Sequence, residues 1–103
     1  MVGSVQFRVR MEGSVSVLEV WGPLDEAAAL DLLKFTAAAA NGGQTVRIDL
    51  DAVESMTPEA AALLLFRRPR WQAIADRVTL RAGGSGRQAV LRAYAGRRAA
   101  GRS

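Results

Sequence analysis

The 103-residue chain contains neither cysteine nor histidine. Without a thiol or an imidazole it has no thiolate nucleophile, no imidazole general base, no Cys/His zinc cluster and no catalytic triad built on histidine, which removes most of the familiar enzyme chemistry. Long apolar runs are also missing. The longest, Ala60 to Phe66, falls far short of the roughly 18 residues that read as a membrane span, and MVGSVQFRVR lacks the apolar core of a secretion signal. The expectation is a soluble, cytoplasmic, non-enzymatic protein that inserts into no membrane. At this length it forms one domain, large enough to bury an ordinary core without disulfides or metals.

Charge is present but unevenly placed. Residues 1–66 carry four basic against nine acidic side chains, a balance of −5, whereas residues 67–103 carry ten arginines against Asp76 alone, a balance of +9. A one-sign surface steers encounters with an acidic protein, lipid headgroups or nucleic acid; a solvated face is the simpler reading.

Val5 to Met11 alternates apolar and polar residues, so Val5, Phe7, Val9 and Met11 share one face of a half-buried strand. Glu12-Gly13 turns the chain into a second alternating run, Val15 to Val20, and the two pair as an antiparallel hairpin that Trp21-Gly22-Pro23-Leu24 breaks. From Asp25 the period becomes helical, with Ala28, Leu32, Phe35 and Ala39 on one face and Asn41-Gly42-Gly43 as the stop. Thr45 to Leu50 reads as a third strand, reached by a right-handed parallel crossover. A second helix runs from Pro58 to about Arg67, ended by Pro69, with a further helical turn at Trp71 to Ala75. Val78 to Ala82 is a fourth strand, Gly83-Gly84-Ser85-Gly86 a loop, and Arg87 to Tyr94 a last helix with Val90, Leu91 and Tyr94 available for packing. The architecture is α/β: a mixed four-stranded sheet with about three main helices in one domain over residues 1–96, followed by a basic, flexible tail, 97–103.

The corner ESMTPEA, Glu54 to Ala60, has a structural reading: Thr57 caps the helix, Pro58 fills its first position, and Glu59 sits in the positive first turn. A hydroxyl at such a place is also suited to phosphate. Here the chain resembles the STAS domains, the family of bacterial anti-sigma factor antagonists. Trp21-Gly22-Pro23-Leu24-Asp25 is similar to the family's G-x-L-D turn. Ile48 to Ala61, IDLDAVESMTPEAA, is similar to its strand-then-helix signature, D-L-S-G-V leading to D-S-S-G-L. The likeness spans roughly residues 5–96. It implies a bacterial, non-enzymatic protein-interaction domain that regulates transcription by docking on an anti-sigma factor or kinase-like regulator, with a serine at the second helix's start as the phosphorylation switch.

Carried over by position, that Asp-Ser pair falls on Thr57-Pro58, and proline has no hydroxyl. The resemblance therefore implies a contact face of Trp21, Pro23, Asp25, Ser55, Thr57, Pro58 and Glu59 without the standard switch, with Thr57 or Ser55 as phosphoacceptor only in a shifted register. It allows a homodimer, and a second role as accessory subunit of a membrane transport ATPase or signalling assembly. No cofactor is implied. Asp49 and Asp51 share a strand face but lack further ligands for a metal. The glycine loop matches no phosphate-binding fingerprint, and Ser85 serves as helix N-cap. Arg67-Arg68-Pro69-Arg70-Trp71 joins cations to a stacking ring without a base-reading motif, which leaves nucleic acid the weakest partner class.

Overall fold

The computed structural model describes residues 5–66 and 77–100. The two alternating runs close into an antiparallel hairpin, β1 (Gln6–Glu12) and β2 (Val15–Leu24), in register from Gln6 opposite Trp21 to Glu12 opposite Val15. Gly13 opens the two-residue turn at a φ of +63°, which a side chain resists. β2 leads through α1 (Glu26–Asn41) to β3 (Thr45–Met56), parallel to it. β3 runs into a short helix, α2 (Pro58–Ala61), which widens into a π-helical turn, Ala62–Phe66. Parallel to β3 lies β4 (Val78–Arg81), and α3 (Gly84–Ala100) follows. The sheet order is β1-β2-β3-β4, the mixed α/β arrangement expected from the sequence.

Right-handed crossovers place α1 and α2 on the same side of the sheet. There Leu18, Val20, Val46, Ile48 and Leu50 of the strands meet Ala28, Ala29 and Leu32 of α1 and Ala60 and Leu64 of the second crossover in one buried cluster. Each fully buried Leu or Ile contributes about 1.5–3 kcal/mol of transfer free energy. The Asp25 carboxylate accepts a hydrogen bond from the Ala28 N–H at 2.9 Å and starts α1. At the other end Gly42 keeps an ordinary φ of −76°, and Gly43, at +91°, makes the left-handed step.

Several expectations are corrected. The buried stripe of α1 is Ala28, Ala29, Leu32, Thr36 and Ala40, rotated away from Phe35, which is 39% exposed; small alanines let the helix lie close to the sheet, and the ring is left on the flank. Phe7, Val9 and Met11 are exposed instead of half-buried because β1 is the sheet's edge. Both β2 and β3 run longer than their sequence pattern, to Leu24 and Met56. The second helix is regular only to Ala61, and in the π-helical turn beyond it Leu63, Leu64 and Leu65 are all buried. α3 starts at Gly84 and extends to Ala100, past the boundary set at residue 96; it packs through Ala89, Val90 and Ala93, while Leu91 and Tyr94 stay exposed. The turn expected at Trp71 to Ala75 and the Arg67–Trp71 cluster lie outside the described residues.

The opposite face of the hairpin is open and charged. Glu19 bonds both Arg8 (3.4 Å) and Arg10 (2.7 Å), and Glu12 bonds Arg10 (2.8 Å) and Arg47 (3.0 Å). The Arg10 hydrogen bonds, reinforced by Arg47 at Glu12 and by Arg8 at Glu19, hold both carboxyls below the usual carboxylate range. A carboxyl with a lowered folded-state pKa stabilises the protein above its unfolded pKa, about 4.3 for Glu, and that contribution is lost as pH falls through the lowered value. Urea midpoints measured from neutral to acid pH are therefore expected to fall less steeply for Glu19→Gln than for the parent, and parallel curves would exclude the linkage.

Candidate docking site

β2 and β3 are parallel, so their carboxyl ends lie side by side: Pro23 stands opposite Ser55 and Leu24 opposite Met56. Each strand turns at once into a helix. Asp25 caps α1, and the Thr57 hydroxyl accepts from the Ala60 N–H at 3.1 Å to cap α2, with Pro58 at the first helical position. The two starts are tied together by the Thr57 N–H, which donates to the Leu24 carbonyl at 3.0 Å.

Six of the seven residues named from the sequence thus meet at one tip: Pro23, Asp25, Ser55, Thr57, Pro58 and Glu59. Asp25, Ser55, Pro58 and Glu59 are exposed, and Pro23 and Thr57 half-buried. Trp21 does not join them. It lies on the open charged face, opposite Gln6 and Ala52, with the Arg8 guanidinium 5.6 Å from its ring centre. Trp21 and Pro23 also prove to be strand residues, not loop residues, with irregular register on either side of Gly22.

The sequence reading missed two further members, Glu26 and Glu54. Both are exposed at the same tip, and neither they nor Asp25 and Glu59 form a salt bridge among the described residues. Their signal was the acidic excess of the first 66 residues. The tip is therefore negative, with positive helix termini behind it that stabilise the carboxylates. It holds no histidine, cysteine or lysine, and no group of three or more potential metal-ligating side chains occurs among the described residues. Such a surface can recognise a basic partner by charge and shape.

The other candidate sites resolve structurally. The Asp49 carboxylate accepts from the Asp51 N–H at 3.0 Å, and that of Asp51 accepts from the Gly83 N–H. Ser85 is not the cap expected: it lies inside the first turn of α3 and donates to the Asp51 carbonyl at 3.2 Å. The glycine loop is thereby committed to β3.

A mixed sheet with both crossover helices on one side and capped helix starts at the strand ends is a STAS-like α/β architecture. The family model described as "Mlab, STAS domain" matches residues 7–98. The chain belongs to the STAS domain family. Among solved structures, an anti-sigma factor antagonist from Mycobacterium paratuberculosis superposes with a TM-score of 0.60 at 21% identity, covering 80% of this chain and 70% of that one. Unphosphorylated SpoIIAA, an anti-sigma factor antagonist, gives 0.53 at 24% identity over 73% and 71%. A structure of Mglu gives 0.58 at 25% identity over 71% of this chain, which matches only 18% of Mglu's length. No curated protein matches.

Proposed function

We propose that this chain is a non-enzymatic interaction module that docks on an anti-sigma factor or kinase-like regulator through the tip formed by Pro23, Asp25, Ser55, Thr57, Pro58 and Glu59, with Trp21 at its margin. It acts by occupying the partner. The observation that carries this reading is the pairing of two capped helix starts at adjacent strand ends, surrounded by four carboxylates without an ion-pair partner among the described residues. The acid-lined tip fits a partner rich in Lys or Arg, which gives fast, salt-sensitive association.

Standard serine phosphorylation is not its switch. Pro58 has no hydroxyl, and Thr57 uses its own to hold the Ala60 N–H. Ser55 is exposed at the end of β3, and its hydroxyl has no hydrogen-bond partner among the described residues. Incubation with the partner and ATP followed by mass mapping should find no phosphate; incorporation at Thr57 or Ser55 would restore the switch and refute this part.

Copurification from native cytoplasm, with and without Glu59→Lys, tests the docking itself. A kinase-fold regulator should be recovered with the parent and lost with the variant, while the thermal transition falls only by the few degrees that a cation in the first turn of α2 costs. A second reading, an accessory subunit of a membrane transport ATPase, is favoured by α3, which carries Arg87, Arg92, Arg97 and Arg98 and no acidic residue; recovery of such an ATPase would select it. Dominant nucleic acid would overturn both.

A further inference from the structure

Strand β1 is exposed at every residue. It is an edge of the sheet, and Phe7, Val9 and Met11 on it are 39%, 46% and 59% exposed. Those three account for half of the large hydrophobic side chains exposed among the described residues.

The backbone of β1 is available as well. A two-residue turn makes Glu12 and Val15 the closing hydrogen-bonded pair. Alternation along an antiparallel ladder then points the N–H and C=O groups of Met11, Val9 and Phe7 off the sheet edge. The strand is also symmetric about its middle residue. Reading outward from Val9, QFRVRME presents Arg8 and Arg10, then Phe7 and Met11, then Gln6 and Glu12.

We propose that β1 is a self-association edge that pairs antiparallel with β1 of a second copy about a two-fold axis at Val9, joining two four-stranded sheets into one. This register pairs all seven residues of the strand. Phe7 meets the second copy's Met11, a favourable sulfur–aromatic contact, and Val9 meets its equivalent. Charged edge residues ordinarily oppose such pairing. Here Arg8 falls opposite the second copy's Arg10, but within each copy Glu19 bonds both arginines and Glu12 bonds Arg10 and Arg47, so each arginine facing the seam already has a carboxylate partner of its own. An isologous two-fold contact is the commonest form of homo-oligomer. The surface lies on the first strand, apart from the proposed docking tip, so the two readings fail independently.

Sedimentation of the full chain at rising concentration should show a monomer–dimer equilibrium. Val9→Pro deletes an outward N–H without touching a hydrogen bond to β2 and should weaken dimerisation by at least about ten-fold while the far-ultraviolet spectrum is kept. Cross-linking fixes the register in a chain with no native cysteine. Val9→Cys should form a disulfide-linked dimer under mild oxidation, since facing Cα atoms in such a pair are about 5.5 Å apart. Phe7→Cys should not, because its counterpart lies four residues away, roughly 13 Å along the strand. A monomer at all concentrations, a dimer indifferent to Val9→Pro, or equal cross-linking at both positions would each overturn the proposal. If Val9→Pro unfolds the chain, the cysteine pair alone decides.

Discussion

Gly86→Ala is expected to disrupt the fold. β4 pairs with β3 only as far as Asp49 opposite Arg81. Past that point the first turn of α3 closes against the bare edge of β3, and Gly86 makes the contact with its backbone. A Cβ there would overlap the Leu50 carbonyl oxygen and stand 2.5 Å from its carbon and 3.1 Å from the Asp51 Cα. All three are backbone atoms of the central strand, so no side chain can swing aside. Relief requires α3 to move, and the Gly83–Asp51 and Ser85–Asp51 hydrogen bonds and the packing of Ala89 move with it. Overpacking usually costs about 1–3 kcal/mol; against rigid backbone the loss should reach the exceptional range, about 4 kcal/mol or more. Gly96 lies in the same helix with nothing within 4 Å of its missing side chain. Gly96→Ala should therefore stabilise, by up to about 1 kcal/mol through helix propensity. Denaturant unfolding of both variants checks the pair, and similar effects of the two substitutions would contradict the described seat of α3.

The Gly86 contact also shows where sequence reading stops. Gly83 to Gly86 announced a loop between strand and helix, and a loop it partly is. Nothing local shows that one of its glycines must touch a strand more than 30 residues earlier, because that requirement comes from tertiary approach. The same limit explains β1. Alternation assigned Phe7, Val9 and Met11 to one face correctly, but whether a helix covers that face depends on the crossovers, which place α1 and α2 over the later strands. For α1 the period was right and Ala28 and Leu32 were placed on the buried face correctly, but Phe35 and Ala39 were not fully buried with them. Buried Ala29, Thr36 and Ala40 look neutral in sequence, and exposed Phe35 looks like core.

The tip was more legible. Thr57-Pro58-Glu59 is a helix start by local chemistry, and Asp25 before an alanine-rich run is another. What the sequence withheld was their adjacency, which needs the register of β2 on β3. It also withheld Trp21, whose place on the charged face follows from strand parity once β2 is known to continue through Gly22.

Leu24→Ala should lower stability by about 2–5 kcal/mol, the range for truncating a buried leucine. Leu24 is 1% exposed and packs in the central cluster, while its carbonyl receives the Thr57 N–H. Its neighbours cannot easily collapse into the void, because the backbone on either side is fixed by Asp25 capping α1 and by Leu24 pairing with Met56. Against a total of about 5–15 kcal/mol for a domain, the loss is a large fraction. Thr57→Ala removes only a cap and should cost about 1 kcal/mol. Urea midpoints at constant m measure both. Neither substitution removes the backbone bond from the Thr57 N–H to the Leu24 carbonyl, so the double variant should lose the sum of the two single losses to within about 0.5 kcal/mol; a larger departure would mean that truncating Leu24 also displaces the Thr57 cap. Such a departure would show that the packing of Leu24 holds the acidic surface in place, so that a core substitution which never touches a partner still weakens docking.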